Sequence, residues 1–256
     1  MKSIDVQVWS CGGGTQSGAI ALLIGQKKLP TPDMAFMSDT GREKASTWPF
    51  VDGFIRPQLA KVGVELQVIK ASDFGNISLF STAGGILMPG FTTQSGKIGK
   101  LPPFCSSKWK IDIGERFLRS LGIKTATNWI GISVDEMRRV RKQHRPWLAL
   151  WYPLIFGVPV RRVQCISMIR AAGWLGDIPH SACWMCPNLQ DEEWIDMRDN
   201  WPDDFERACT LDEELRSTDP HFFLHASCVP LRSVMLTLRE AGPDLFDRSC
   251  TGGCHT

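Results

Sequence analysis

The residues best suited to chemistry in this sequence are its nine cysteines. Cys183 and Cys186 are separated by two residues, a spacing that lets both thiolates face one metal ion or cluster. The other candidate ligands are scattered along the chain: Cys105, Cys165, Cys250 and Cys254. Three kinds of chemistry use such a set: a [4Fe–4S] cluster on three or four thiolates, structural zinc on Cys183, Cys186, Cys250 and Cys254, or a redox dithiol.

The cysteine count also bears on the cellular compartment. A chain of 256 residues can build a core without disulfides, and no secretory leader is visible. The longest uncharged apolar run, 147–160, is short and contains two prolines, so we expect no membrane segment. We therefore expect a reducing, cytoplasmic location, where clustered cysteines favour metal or redox chemistry. Cys11, Cys209 and Cys228 are predicted to be packing residues.

A second candidate site is the glycine-rich segment Ser10-Cys-Gly-Gly-Gly-Thr-Gln-Ser17. It follows a β-rich run and precedes an apolar helical run, so its backbone N–H groups and the helix N-terminus can hold a phosphate. It lacks the Gly-Lys-Ser/Thr ending of a P-loop and the Gly-x-Gly-x-x-Gly spacing of a dinucleotide fold. On the glycines alone, a plain strand-to-helix turn explains the segment equally well.

The elements that must position these residues alternate between strands and helices. Predicted strands are 5–10, 34–37, 65–69, 128–132 and 152–155, and predicted helices are 19–24, 47–62 with a kink at Pro57, 111–121 and 162–172. This order predicts an α/β fold with a doubly wound parallel sheet in residues 1–176. Residues 74–103 read as an irregular lid. A smaller cysteine-bearing extension, residues 177–256, is expected to fold back over the carboxyl edge of the sheet.

The net charge is only +2, but the charges are unevenly distributed. Residues 74–111 contain four lysines and no carboxylate, and residues 138–145 contain no acid. Residues 187–220 instead carry twelve acids against three basic residues. This pattern favours an anionic partner such as DNA or tRNA along Arg138–Arg145 and Lys97–Lys110.

The glycine segment resembles the pyrophosphate loop, Ser-Gly-Gly-x-Asp-Ser, of the ATP pyrophosphatases, or adenine nucleotide alpha hydrolases. Three further segments resemble the phosphoadenosine phosphosulfate reductase branch of that superfamily: Asp39-Thr-Gly-Arg-Glu43, Cys105-Ser-Ser-Lys-Trp-Lys110, and Gly131-Ile-Ser-Val-Asp-Glu136 followed by Arg138 and Arg141. The four motifs occur in family order. Gln16 stands where the family has aspartate, so the resemblance supplies no magnesium ligand at that position.

The resemblance implies an adenine nucleotide site, with ATP as the first candidate. The glycine loop would hold the phosphates, Asp39 would be the nearest carboxylate for Mg²⁺, and basic side chains would neutralise phosphate. The implied nucleotide-binding residues are Ser10, Gly12, Gly13, Gly14, Gln16, Ser17, Asp39, Thr40, Gly41, Glu43, Lys108, Lys110, Gly131, Asp135, Glu136, Arg138 and Arg141. The alternative explanation for Asp39 and Glu43 is an acid at a helix N-terminus, and that for the cations is an ordinary solvated face.

For the cysteines, the resemblance implies an iron–sulfur cluster, with zinc as the alternative. Sulfonucleotide reductases use a Cys-Cys pair and a later Cys-x-x-Cys; here Cys105 matches one member of a broken pair, and Cys183 and Cys186 match the later motif. Cys165 is the first candidate for a fourth ligand, with Cys250 and Cys254 as alternatives, unless that ligand is absent, as in sulfur-transferring tRNA thiolases. His180 and His255 flank cysteine motifs and are further candidates. Cys254 lies in a segment similar to the tail that bears the reductases' nucleophilic thiol, and is the candidate catalytic cysteine beside Asp39.

The implied function is an ATP pyrophosphatase-type enzyme of sulfur metabolism. ATP would adenylate an oxygen of a nucleic acid, and magnesium would neutralise the pyrophosphate leaving group. A thiolate- or cluster-bound sulfur would then displace AMP, in an enzyme close to the one that inserts sulfur in DNA phosphorothioation. A sulfur-donor protein would be a further partner. One alternative is a sulfonucleotide reductase, in which Cys254 attacks the sulfur and releases sulfite. Another alternative is a non-catalytic, zinc-stabilised module that binds a nucleotide or nucleic acid. Gln16 supports this alternative, because it stands where the family has aspartate.

Overall fold

The computed structural model describes residues 5–102, 104–141 and 145–238. Within these ranges the strands are β1 (Val6–Ser10), β2 (Met34–Asp39), β3 (Leu66–Lys70), β4 (Phe91–Thr92), β5 (Gly99–Lys100), β6 (Ala126–Ile130), β7 (Leu148–Trp151) and β8 (Phe222–Phe223). Five of them form a parallel sheet in the order β3-β2-β1-β6-β7. The registers bring Ser10 opposite Phe36 on one side and Ile130 on the other.

Helices cover both faces of this sheet, which confirms the predicted doubly wound α/β fold. The helices are α1 (Thr15–Gly25), α2 (Thr47–Phe50), α3 (Arg56–Ala60), α4 (Asp112–Ser120), α5 (Arg162–Ala171), α6 (Asp191–Asn200) and α7 (Pro202–Thr218). Apolar side chains of α1, α2, α3 and α5, such as Ile20 and Phe50, pack on one face. Phe117 and Leu118 of α4 pack on the other. Burial of these two apolar layers stabilises the sheet.

Residues 177–238 contribute to another hydrophobic core, distinct from the two layers that cover the parallel sheet. Met88 and Trp109 pack there with Trp194, Leu215 and Phe222. The short strands β5, β4 and β8 form an antiparallel sheet that ties residues 91–100 to it. The buried Asp212 carboxylate anchors the same region, because it accepts hydrogen bonds from the N–H groups of Leu224 and Leu231. The domain boundary at residue 176 stays a prediction.

Irregular helical turns replace or interrupt two of the predicted elements. The strand predicted at 152–155 is wrong: β7 ends at Trp151, and residues Pro153–Gly157 form a π-helical turn, since a proline cannot donate to a strand ladder. The helix predicted at 47–62 runs from α2 to α3, with a π-helical turn at Val51–Ile55 just before Pro57, where the missing N–H disturbs the helical pattern. No helix in the described part of the chain is long and apolar enough to cross a membrane.

Candidate functional site

The candidate site lies at the carboxyl ends of the central strands. Strand β1 is flanked by β2 on one side and β6 on the other, so the connections leave it in opposite directions. Such a switch point opens a crevice at the carboxyl edge of an α/β sheet, where ligands bind. The glycine loop, residues 11–14, leaves β1 at this point and leads into α1.

The conformation of the glycine loop explains why it contains glycine. Gly13 has a φ of +73°, and a Cβ atom there would lie 2.8 Å from Thr47 Cγ2. The Gly12 N–H donates to Ser17 Oγ at 2.9 Å, and the Ser10 hydroxyl donates to Asn128 Oδ1 at 2.8 Å. The loop is therefore closed on itself and tied to β6, which leaves little freedom for larger residues.

A short segment, 179–181, which we call the strap, crosses the start of α1. The Pro179 carbonyl accepts hydrogen bonds from Thr15 N–H at 3.0 Å and from its hydroxyl at 3.2 Å. The Ser181 hydroxyl donates to the Gly12 carbonyl at 2.6 Å. A Cβ atom on Gly14 would lie 2.7 Å from the Ser181 backbone nitrogen. The strap thus fixes the Cys183 segment against the glycine loop.

Gln16 participates in a buried polar network. Its side-chain amide donates to Glu136 Oε2 at 2.7 Å, and the Ser133 hydroxyl donates to the same oxygen at 3.2 Å. Arg139 donates to the other carboxylate oxygen. Glu136 is only 3% exposed, so these partners offset the cost of burying its charge. The glutamine at position 16 therefore positions a carboxylate rather than supplying one.

One crevice at this edge is called the apolar cleft, because apolar side chains such as Phe36, Ile130 and Ile132 line it. Cationic side chains also line it: Lys110, Arg139, Arg141 and Arg145. The Ser38 hydroxyl, which lines it too, is buried without a hydrogen-bond partner among the described residues.

A second crevice, the cysteine cleft, adjoins the apolar cleft. Cys105, Cys183 and Cys186 all line it, together with His180 and the loop residues Gly12, Gly14, Gln16 and Ser17. The two clefts share a wall formed by Ser10, Gly12, Lys110 and Arg139. A group bound against this wall in the apolar cleft would therefore lie next to the cleft that the three thiols line.

The three cleft cysteines have the donor chemistry of an iron–sulfur or zinc site. Within the described ranges, however, no three cysteine, histidine or carboxylate side chains are gathered closely enough to hold a metal ion. Burial lowers the pKa of Arg42, whereas negative charge on Cys183 and Cys105 raises it, so both thiols are within electrostatic reach of this guanidinium. A nearby cation favours thiolate over thiol. The three thiols thus have the donor type of such a group and line one cleft, but the described residues are not gathered around a metal position.

The remaining described cysteines lie elsewhere. Burial raises the pKa of the Cys165 thiol to about 12 and that of Cys11 and Cys209 to about 11. Cys165 packs in the core between α5 and α1, and it does not line the cysteine cleft. A thiol in that environment resists ionisation, which a metal ligand requires. The structure therefore does not bring Cys165 together with the other proposed ligands. Cys254 lies outside the described residues.

Glu43 forms a buried ion pair in the loop after β2. Its Oε1 atom is 3.0 Å from Lys110 Nζ, and its side chain is 1% exposed. Its Oε2 atom has no hydrogen-bond partner among the described residues. An isolated β-bridge joins Glu43 to Cys183. This carboxylate fixes Lys110 at the shared wall and links it to the cysteine segment.

Several residues predicted from sequence for the nucleotide site do reach the clefts: Ser10, Gly12, Gly14, Gln16, Ser17, Thr40, Lys110, Gly131, Glu136 and Arg141. Others line neither: Gly13, Asp39, Gly41, Glu43, Lys108, Asp135 and Arg138. Asp39 accepts the Gly41 N–H at 2.7 Å, and Asp135 caps α5 by accepting the Arg162 N–H. Lys108 is exposed and pairs with Asp112.

Sequence reasoning missed three contributors to this site. Ser181 contacts the glycine loop, Arg139 forms part of the shared wall, and Tyr152 clamps Arg141 by accepting its N–H at 2.9 Å. Arg139 belongs to the acid-free run at 138–145, so its charge was a usable signal. Ser181 and Tyr152 act through contacts that are distant in sequence or irregular in structure, and no motif marks them.

Comparisons with known proteins give limited information. No protein-family model matches the sequence, and no curated protein matches it. Among solved structures, the chain is similar to the U34-tRNA thiolase NcsA from Methanococcus maripaludis with its [4Fe-4S] cluster. The two are 12% identical, the match covers 86% of this chain and 68% of that chain, and the TM-score is 0.41. At this level the likeness assigns neither a family nor a function to the chain.

Proposed function

We propose that this protein is an ATP pyrophosphatase-type enzyme of sulfur metabolism that adenylates a nucleic acid for sulfur insertion. The observation that supports it best is the wall shared by the two clefts. Ser10, Gly12, Lys110 and Arg139 line both a crevice with four cationic side chains and a crevice with three thiols. This arrangement suits a reaction in which a sulfur nucleophile meets a group activated by ATP.

In this proposal the adenosine moiety occupies the apolar cleft. The buried Ser38 hydroxyl would gain a hydrogen-bond partner there. The phosphates would lie at the glycine loop, where Lys110 and Arg139 offset their charge. Asp39 lines neither cleft, so its proposed role as the Mg²⁺ carboxylate rests on the sequence resemblance and on its place at the carboxyl end of β2.

Arg139 and the cysteines have different roles in the proposed reaction. Arg139, fixed by Glu136, stabilises charge that develops on the phosphates. Cys105, Cys183 and Cys186 are the proposed ligands of a [4Fe–4S] cluster, with zinc as the alternative, and no fourth cysteine of the described residues lines the cleft. When bound, such a cluster supplies an iron on which sulfur can be held. Cys254 remains the predicted catalytic thiol, and a cytoplasmic location stays a prediction.

The proposed partners are DNA or tRNA, together with a protein that delivers sulfur. Arg138 is exposed beside the cleft residues Arg139 and Arg141, so it can contact a phosphate backbone. Lys97 and Ile98 are exposed between β4 and β5. These basic segments would guide the nucleic acid, while the acidic helices α6 and α7 would repel it.

Pyrophosphate release from ATP, measured with and without DNA or tRNA, tests the proposal. Full-length protein purified anaerobically should release pyrophosphate, and one of the two nucleic acids should stimulate it. Tight nucleotide binding without release under any condition would instead support a non-catalytic binding module. Sulfite release from a sulfonucleotide would support the reductase alternative.

A further inference from the structure

The strap, residues 179–181, occupies a hydrogen-bond donor that the glycine loop would offer to a phosphate. A helix can present its first N–H groups to an anion because they have no partner within the helix. At the start of α1, however, the Thr15 N–H already donates to the Pro179 carbonyl at 3.0 Å, and the Thr15 hydroxyl donates to the same oxygen at 3.2 Å. Thr15 is only 1% exposed, so the strap rather than solvent supplies its acceptor.

The strap also packs closely on the glycines of the loop. The Ser181 hydroxyl donates to the Gly12 carbonyl at 2.6 Å. A Cβ atom on Gly14 would lie 2.7 Å from the Ser181 nitrogen and 3.1 Å from the Pro179 carbonyl oxygen. Gly14 is the N-cap of α1, so the strap lies against the end of the helix at which a phosphate would bind. A phosphate oxygen and the Pro179 carbonyl oxygen would therefore compete for the same donor.

Other contacts hold the strap and its flanking residues in the protein. Before the strap, the Asp177 carbonyl accepts an indole N–H at 2.8 Å. After it, the Trp184 N–H donates to the Arg42 carbonyl at 3.1 Å. Within it, His180 Nδ1 lies 2.9 Å from Glu193 Oε1 of α6. None of these three contacts involves the glycine loop, so they hold this segment independently of its hydrogen bonds to the loop.

The charges at the loop favour a phosphate over the strap. The strap brings a neutral carbonyl and a neutral hydroxyl to the N-terminal end of α1, whereas a phosphate brings negative charge to a position where the helix dipole is positive. Lys110 and Arg139 line the cysteine cleft together with Gly12 and Gly14, and they would stabilise the same negative charge. The strap is therefore a weaker partner for the loop than a phosphate group would be.

We propose that the strap is an autoinhibitory contact, which caps the glycine loop and is displaced by the phosphates of the nucleotide. This inference rests on the proposed function, because that function places phosphates at the loop. Each phosphate that binds must replace the Pro179 carbonyl on Thr15, so the strap lowers the affinity of the site. A strap that merely holds the loop in its binding shape would have the opposite effect, since loosening it would then weaken binding.

Binding of sodium pyrophosphate to the full-length protein tests the strap without requiring a reaction. Calorimetric titration compares the wild type with Ser181→Ala and with the control Ser120→Ala, which also removes a hydrogen bond from a hydroxyl to a carbonyl, that of Phe117 at 2.7 Å. One hydrogen bond corresponds to about a 2- to 10-fold change in an equilibrium constant. Ser181→Ala should therefore bind pyrophosphate about 2- to 10-fold more tightly, and Ser120→Ala should match the wild type. Unchanged or weaker binding by Ser181→Ala would overturn the inference.

A disulfide that holds the strap closed provides the opposite manipulation. A Cβ atom on Gly12 would lie 3.9 Å from the Ser181 Cβ, within the roughly 3.5–4.5 Å that separate the Cβ atoms of disulfides. The oxidised double variant Gly12→Cys/Ser181→Cys should bind pyrophosphate at least about 10-fold more weakly than the same protein after reduction, because the closed strap removes the binding-competent population. Each single variant, treated in the same way, should show no such difference. Equal affinity of the oxidised and reduced double variant would count against the strap.

Failure of the proposed function gives a different result from failure of this inference. If the wild type releases no pyrophosphate from ATP but Ser181→Ala binds added pyrophosphate more tightly, the proposed enzyme is rejected and the autoinhibitory strap is supported. If the wild type does release pyrophosphate but Ser181→Ala shows no gain in affinity, the strap is rejected and the enzyme stands. Absence of pyrophosphate binding in the wild type and in every variant would also reject the strap.

Discussion

The side-chain amide of Gln16 donates a 2.7 Å hydrogen bond to the carboxylate of Glu136. This contact joins the first turn of α1 to the segment after β6, across 120 residues of sequence. The same carboxylate holds Arg139 at the wall between the two clefts. A carboxylate at position 16 would face Glu136 as a like charge, so glutamine at this position is consistent with a working site rather than a degraded one.

The Gln16–Glu136 pair predicts a reciprocal mutational effect. Gln16→Asp should weaken ATP binding about tenfold and lower the free energy of unfolding by about 1–3 kcal/mol, because a buried hydrogen bond is lost and a like charge is added. The double variant Gln16→Asp/Glu136→Gln should recover much of the lost ATP affinity and much of the lost free energy of unfolding. Calorimetric titration with ATP and urea unfolding measure the two effects. Tighter nucleotide binding by Gln16→Asp would show that position 16 lacks a needed metal ligand, contrary to the account.

The backbone of the glycine loop provides a second prediction. Gly13→Ala forces an L-residue into a positive φ and brings Cβ to 2.8 Å from Thr47 Cγ2, so ATP affinity should fall at least tenfold. Gly122→Ala is the matched control, because Gly122 has a φ of +75° with open space around its Cβ position. Both variants should lose stability, by about 1 kcal/mol or more. Equal ATP affinity in the Gly13→Ala and Gly122→Ala variants would show that the glycine loop does not bind the nucleotide.

The sequence predicts the parallel α/β fold well because its strands and helices alternate and carry strong local signals. The glycine-rich sequence around Gly13 likewise predicts the turn between β1 and α1. The contacts of Gln16 and Asp135 were not predictable, because each depends on where two distant segments meet. Cys165 was a reasonable ligand candidate by position, but α5 turns it into the core. His180 was placed beside a cysteine motif, yet only the packing of α6 supplies its Glu193 partner.

Differences among the described cysteines predict their reactivity. In protein stripped of metal, iodoacetamide should modify Cys105, Cys183 and Cys186, because they line an open cleft and Arg42 lies near two of them. Cys11, Cys165 and Cys209 should react only after unfolding, since burial raises the pKa of each thiol. Peptide mass spectrometry at several times resolves the two groups. Metal bound beforehand should protect the first group, and rapid native alkylation of Cys165 would contradict its buried placement.

Arg141 and Arg138 should separate nucleotide binding from nucleic-acid binding. Arg141 lines the apolar cleft and Arg138 does not. Arg141→Ala should therefore weaken ATP binding by about 10-fold, as expected for a lost charge-assisted contact. Arg138→Ala should leave ATP binding intact and reduce the salt dependence of DNA or tRNA binding by about one phosphate contact. Titrations with ATP, and with nucleic acid at several salt concentrations, measure both. If Arg138→Ala weakened ATP binding and Arg141→Ala did not, the nucleotide would not occupy the apolar cleft.

The identity of the products formed from ATP tests the central claim most directly. Full-length protein is incubated anaerobically with Mg²⁺, α-labelled ATP and the nucleic acid that stimulates it, and the labelled products are separated. The account predicts cleavage between the α- and β-phosphates, which gives AMP or AMP bound to nucleic acid, with one pyrophosphate for each ATP consumed. Formation of ADP and inorganic phosphate, or no consumption of ATP with either nucleic acid, would contradict it.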